Sequence, residues 1–257
     1  MTSMFKRGQA LSLAVLVLAA LSLRAQEPSV KLAVQAADGQ TVFRIGERIP
    51  IKLTFTSAND TQYIIAPWGG GRGGEFDLED FQVLSSGGWS DPFALYFAQN
   101  LIKTGHGWSW PPFLSSNPVQ GAVDLNEWIR FDQPGDYTIR VTSRRVCRTD
   151  GAGAELLSKE IKLHIAPATP EWQSEKLKSI LDRLDRKIPS FEEAAADLKY
   201  LGTPEAVEEM TSRLRQMGYY IADESSMGLK GLPDSIRPSC RKKSASRYST
   251  KPVDLMD

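Results

Sequence analysis

The chain of 257 residues has two imidazoles, His106 and His164, and they bound its acid–base chemistry. Nucleophilic hydrolysis needs a base within reach of a serine, cysteine or threonine, and that base is most often histidine. His164 falls on the outward register of a predicted strand and is read as a surface residue. His106 lies in the stretch GHGWSWPPF, with no GxSxG elbow and no spaced Cys/His/acid set, so a packing role in a loop is expected. The run GGGRGG, residues 69–74, could offer bare amides to an anion, but it lacks the Gly-Lys-Ser/Thr ending of a phosphate loop and reads as a hairpin tip. Asp77, Glu79 and Asp80 lack the ligand order and turn glycine of a calcium loop and read as solvated charge. No catalytic, cofactor-binding or metal-ligating residue is therefore assigned, and no cofactor is expected.

One segment competes as a binding surface. Between Trp68 and Pro118 the chain gathers Trp68, Trp89, Trp108, Trp110 and Phe113 together with Phe93, Tyr96 and Phe97. This is more aromatic surface than a connecting loop carries. Exposed rings beside glycines could stack on a sugar or grip a peptide, whereas buried rings would close one end of a domain.

The elements that must position these residues are mostly strands. Ile49, Ile51, Leu53 and Phe55 alternate with Pro50, Lys52, Thr54 and Thr56, and VKLAV from Val30 and the short run Tyr63–Ala66 have the same character. Phe81–Leu84, Phe93–Phe97 and Val119–Leu125 are further candidates. In WIRFDQPGDYTIRVTSRRV, from Trp128 to Val146, Pro134-Gly135 provides a bend. Beyond the bend Tyr137, Ile139 and Val141 take one face and Thr138, Arg140 and Thr142 the other. A last strand puts Ile161, Leu163 and Ile165 inward, for about eight strands in all.

After the linker APATP the period changes. Thr169-Pro170 opens a helix with Trp172, Leu177, Ile180, Leu181 and Leu184 at helical spacing. A second helix starts at Ser190 and stops at Gly202, and a third runs from Thr203-Pro204 to about Met217. From Ala222 the chain has no period and a local excess of positive charge, the composition of a disordered tail.

The corner FDQPGDYTIRV resembles that of immunoglobulin-like sandwiches, with Tyr137 as the corner tyrosine and Ile139 where antibody domains carry their second cysteine. LKYLGTPEAVEEMTSRL resembles the turn of a HEAT-type helical repeat. Together these are similar to uncharacterised exported bacterial proteins that join an Ig-like module to HEAT-like helices. The expected fold class is thus mainly β with α: an Ig-like antiparallel β-sandwich over residues 26–166, a short helical unit over 167–221, and a tail over 222–257. The resemblance implies a fold and carries over no catalytic motif.

Lys6 and Arg7 precede the apolar run Ala10–Leu21, and Leu23-Arg24-Ala25 offers a cleavage site, so residues 1–25 read as a secretory signal peptide. The run is short of the roughly 20 residues needed to span a bilayer. Without residues 1–25 the chain has 28 basic and 31 acidic residues, which argues against nucleic acid as a partner. The two cysteines, Cys147 and Cys240, leave a disulfide open. The leading expectation is a non-catalytic secreted or periplasmic binding or scaffolding module whose partner is an envelope protein or glycan. The alternatives are a carbohydrate-binding module using the aromatic segment 89–113, and a hydrolase or protease inhibitor. Amino-terminal sequencing of exported material should begin at Gln26, and a chain still starting at Met1 would refute the processing.

Overall fold

The alternation of Ile49, Ile51, Leu53 and Phe55 translates directly into burial: each of the four is at most 1% exposed. A computed structural model describes residues 29–66, 72, 78–94, 112–186, 191–213 and 228–232. In these there are eleven strands, not eight: β1 (Val30–Ala36), β2 (Val42–Arg44), β3 (Pro50–Ser57), β4 (Tyr63–Ile65), β5 (Glu79–Val83), β6 (Trp89–Ser90), β7 (Phe113–Leu114), β8 (Val119–Asp124), β9 (Arg130–Phe131), β10 (Gly135–Arg148) and β11 (Ala154–Ala166). The surplus comes from pieces two or three residues long, of which β2 and β7 lie at the ends of the larger sheet and β6 and β9 pair with each other. The expected strand Phe93–Phe97 is not one of them, since Phe93 lies in a turn and the stretch from Leu95 on falls outside the described residues.

β1, β3 and β8 form one antiparallel sheet, and β2, β11, β10, β4 and β7 form the other, with β5 also on β10; β6 and β9 pair separately. β2 runs parallel to β11, with His164 opposite Val42 and Ala166 opposite Arg44. The other pairings within the two sheets are antiparallel. The described residues are thus mainly β, two packed sheets with helices following them. One apolar core joins both sheets, built from Phe43, Ile51, Leu53, Phe55, Ile139, Val141 and Ile165 among others.

β10 is the strand on which the larger sheet depends. β11 lies along one side of it, while β5 (at Ile139–Ser143) and β4 (at Val146–Arg148) take turns along the other. Between those two partners the register slips by a bulge at Ser143–Val146. The inward positions there hold polar groups, Ser143 at 0% and Arg145 at 5% exposure. Both are satisfied by Glu79: Arg145 Nε and Nη2 donate to its two oxygens at 2.7 and 2.5 Å, and Ser143 Oγ donates at 3.2 Å. Glu79, read from sequence as solvated charge, is therefore a buried counter-ion. A bidentate guanidinium–carboxylate pair is the one ionic arrangement whose geometry offsets much of the desolvation of both groups.

The corner is as expected. Pro134 is exposed, Gly135 opens β10, and Ile139 is fully buried. The Tyr137 hydroxyl is in reach of two carbonyls, Gln133 O at 2.8 Å and Gly88 O at 3.0 Å, and its ring packs on Phe131 with centroids 4.6 Å apart. Gly88 must be glycine: its φ is +73°, and a Cβ there would stand 2.5 Å from the Tyr137 hydroxyl.

Among the described residues the sandwich is followed by α1 (Pro170–Arg186), α2 (Phe191–Leu201) and α3 (Pro204–Arg213), and residues 228–230 are helical as well. Thr169 Oγ1 accepts the Trp172 amide at 3.3 Å, and Thr203 Oγ1 accepts that of Ala206 at 3.2 Å, so each threonine caps its helix with proline as first helical residue. Gly202, at φ +63°, makes the turn between α2 and α3. Ile180, Leu184, Leu198, Leu201, Val207 and Met210 form a second buried cluster, separate from that of the sandwich. Leu232 belongs to it at 3% exposure and Leu229 packs against it, although the sequence places both in a disordered tail. Residues 1–25, the capping position Ser190, the rest of the tail and Cys240 lie outside the described residues. Cys147 is a half-buried free thiol.

Tyr137→Phe should cost about 0.5–1.5 kcal/mol in denaturant melts. Gly88→Ala should cost more, about 1–2 kcal/mol from the left-handed backbone alone. Burial, and then the Asp132 carboxylate, raise the Tyr137 pKa above its ordinary 10.0. The folded state thus holds the phenolic proton more tightly, so this contribution is complete below about pH 10 and is lost as pH rises through the folded value. The wild type should therefore lose stability above about pH 10 and Tyr137→Phe should not show that component; parallel losses in both would contradict it.

Candidate functional site

Val123 to Phe131, VDLNEWIRF, sets the polar residues Asp124, Asn126, Glu127 and Arg130 among apolar ones, and this stretch is where the sandwich meets the helices. Leu125–Glu127 form a 3-10 turn. Its residues reach in three directions. Leu125 is fully buried in the sandwich core, and its amide bonds the Ile49 carbonyl at 2.9 Å. The Asn126 side chain accepts the Ile49 amide at 2.7 Å and donates to the Glu47 carbonyl at 2.9 Å, fixing the turn between β2 and β3. Glu127 points to the helices and accepts Lys199 Nζ of α2 at 3.1 Å on Oε1.

The other Glu127 oxygen is also taken. Oε2 accepts the backbone amide of Arg72 at 2.6 Å, and the Glu127 carbonyl accepts Arg72 Nη1 at 3.1 Å. The Arg72 guanidinium then grips both oxygens of Asp91, at 2.5 and 2.7 Å. Arg72 is the one charged residue of GGGRGG and is anchored by these bonds, while the glycines around it lie outside the described residues. Lys199 and Glu127 are nearly desolvated, with side chains 4% and 14% exposed.

Tight packing surrounds this network. A Cβ on Gly46, at φ +80°, would stand 2.8 Å from the Leu201 carbonyl at the end of α2. The Arg44 guanidinium lies 5.4 Å from the ring centre of Trp172 in α1. Arg130 donates to Gly231 O at 2.9 Å, and a Cβ on Gly231 would meet the Phe93 ring at 2.9 Å. What space remains is a cavity of about 50 Å³ lined by Phe93, Phe131, Arg130, Lys199, Tyr200 and Leu232, among others. It is room for a few waters and not for a metabolite. A hollow of about 340 Å³ along α1, between Glu175 and Arg186, has walls from one helix only and is an open, charged helix face.

Of the aromatic surface expected from sequence, Trp89, Phe93 and Phe113 are described. Trp89, on β6 opposite Phe131, is 36% exposed, and Phe113, on β7 opposite Ile64, is 59% exposed. Trp68, Trp108 and Trp110 lie outside the described residues, as does His106. Phe93 is buried at 3%. The segment thus contributes both to packing and to the surface. His164 is exposed as predicted and pairs across the strands with Asp136, Nδ1 to Oδ1 at 2.7 Å. Its neighbours on that face, Lys162 and Thr138, make a solvated ladder. Among the described residues no group of three His, Cys, Asp or Glu is placed to hold a metal, and no helix is long and apolar enough to cross a membrane.

The sequence reading missed Arg72, Asp91, Glu127 and Lys199. The usable signals were the lone charge inside GGGRGG, the polar break in VDLNEWIRF, and a lysine four residues after Ala195 on the buried stripe of α2. No protein-family profile matches the chain, and no curated protein matches it.

Gly46→Ala should cost at least about 1–2 kcal/mol, because it combines a left-handed backbone with a clash against Leu201 O. Limited proteolysis should then cut within residues 167–213 before the sandwich, and an unchanged cleavage order would show that Gly46 does not gate helix docking.

Proposed function

We propose that the chain is a non-catalytic exported binding or scaffolding module acting through protein–protein contacts, with the sandwich as platform and the helices as a second contact surface. The observation that carries this reading is Phe113. Its ring is 59% exposed while its neighbour Leu114 is fully buried, so strand alternation holds a large apolar ring outward. β7 is also the terminal strand of the larger sheet in the described residues. An outward ring on a terminal strand is the combination by which a sheet takes up an extended segment of another protein. Trp89, on the separate β6–β9 pair, supplies a second anchor of the type enriched at interfaces. The partner is an envelope protein, in keeping with the expected signal peptide and the near-neutral charge.

Immobilised chain lacking residues 1–25 should capture a partner from envelope extract, and Phe113→Ala should weaken capture at least about tenfold, a loss typical of an anchor residue. The same substitution should change stability by no more than about 0.5 kcal/mol, since the ring is largely solvated. Capture unchanged by Phe113→Ala would overturn the edge reading. Glycan binding lost on Trp89→Ala but kept in Phe113→Ala would replace it with a carbohydrate-binding module.

A further inference from the structure

Glu127 has two carboxylate oxygens, and each serves a different part of the chain. Oε1 takes Lys199 of α2, and Oε2 takes the Arg72 amide, whose side chain holds Asp91. Burying and orienting that carboxylate is unfavourable when it has one partner, and the cost is met once when it has two. Whichever partner arrives first leaves a desolvated, oriented acceptor for the second. We infer that Glu127 couples docking of the helices to anchoring of the Arg72–Asp91 segment, so that neither is held at full strength without the other.

The route is short and made of direct contacts. Trp89 is two residues from Asp91 on the same short stretch, and Asp91 also accepts the Phe93 amide at 3.0 Å, which sets the buried Phe93 ring against Gly231. Asp91 is held by Arg72, Arg72 by Glu127, and Glu127 holds Lys199. An event at Trp89 is thus transmitted to α2 through three polar links, and by reciprocity an event at the helices is felt at Trp89. The inference does not depend on what the exposed rings bind, because it concerns two segments of one chain.

Hydrogen exchange on the chain lacking residues 1–25 tests this. Lys199→Met should speed exchange of the Arg72 and Phe93 amides, and Arg72→Ala should speed exchange of the α2 amides, each by about fivefold or more. Glu127→Gln should speed both sets. Effects confined to the substituted side, with Lys199→Met altering α2 alone and Arg72→Ala altering only the sandwich, would overturn the coupling. In unfolding titrations the Arg72→Ala and Lys199→Met effects should be non-additive in the wild type and additive once Glu127 is Gln. Non-additivity that persists in the Glu127→Gln background would mean that another route joins the segments and would also overturn the assignment to Glu127. If Glu127→Gln does not fold, the two single variants still decide the matter by exchange.

Discussion

A carboxylate taken out of water has to find its donors inside the protein, and at Glu127 those donors, Arg72 and Lys199, come from far apart in the sequence. That requirement organises the junction. The 3-10 turn that presents Glu127 is itself fixed by Leu125 in the core and by Asn126 on the β2–β3 turn. Positioning of the helices is thereby referred back to the sandwich core through three consecutive residues. The second buried carboxylate, Glu79, does the equivalent within the sandwich, where it satisfies Arg145 at the bulge of β10 and so permits β4 and β5 to share one side of that strand. Both sites place charge where apolar packing would have sufficed for stability alone. What charge adds is direction, because a bidentate pair tolerates little displacement.

The sandwich was legible in the sequence wherever one face of a strand is buried. Ile49, Ile51, Leu53 and Phe55 announce β3, and Tyr137, Ile139 and Val141 announce β10, because period-two alternation is a direct image of burial. The corner tyrosine and the threonine-proline caps were legible for a related reason: each is a local device whose partners lie within a few residues. The short strands were not, since β6, β7 and β9 exist only by pairing with strands distant in sequence.

The junction residues were hidden for the same physical reason. Arg72, Asp91, Glu127 and Lys199 are ordinary surface types, separated by 19 to 72 positions where they bond, and nothing local distinguishes a buried lysine from a solvated one. Glu79 shows the difficulty most directly. With Asp77 and Asp80 it reads as solvated charge, but the pleat sends it inward and Asp80 outward. Once the register of β5 against β10 is known, the assignment follows, and that register is a long-range fact.

The parallel placement of β2 on β11 brings Arg44 and Ala166 side by side. The chain leaves β11 at Ala166 and enters α1 at Pro170, so only three residues separate the sheet from the first helix, and two prolines stand at this junction, Pro167 in the link and Pro170 at the helix start. A tether that short and stiff keeps the helices at a high effective concentration over the surface they dock on, on the order of millimolar or above. Contacts that would be too weak to join two separate molecules are then sufficient to hold the unit in place. Lengthening the link, with every contact residue left intact, would dilute the helices away from the sandwich.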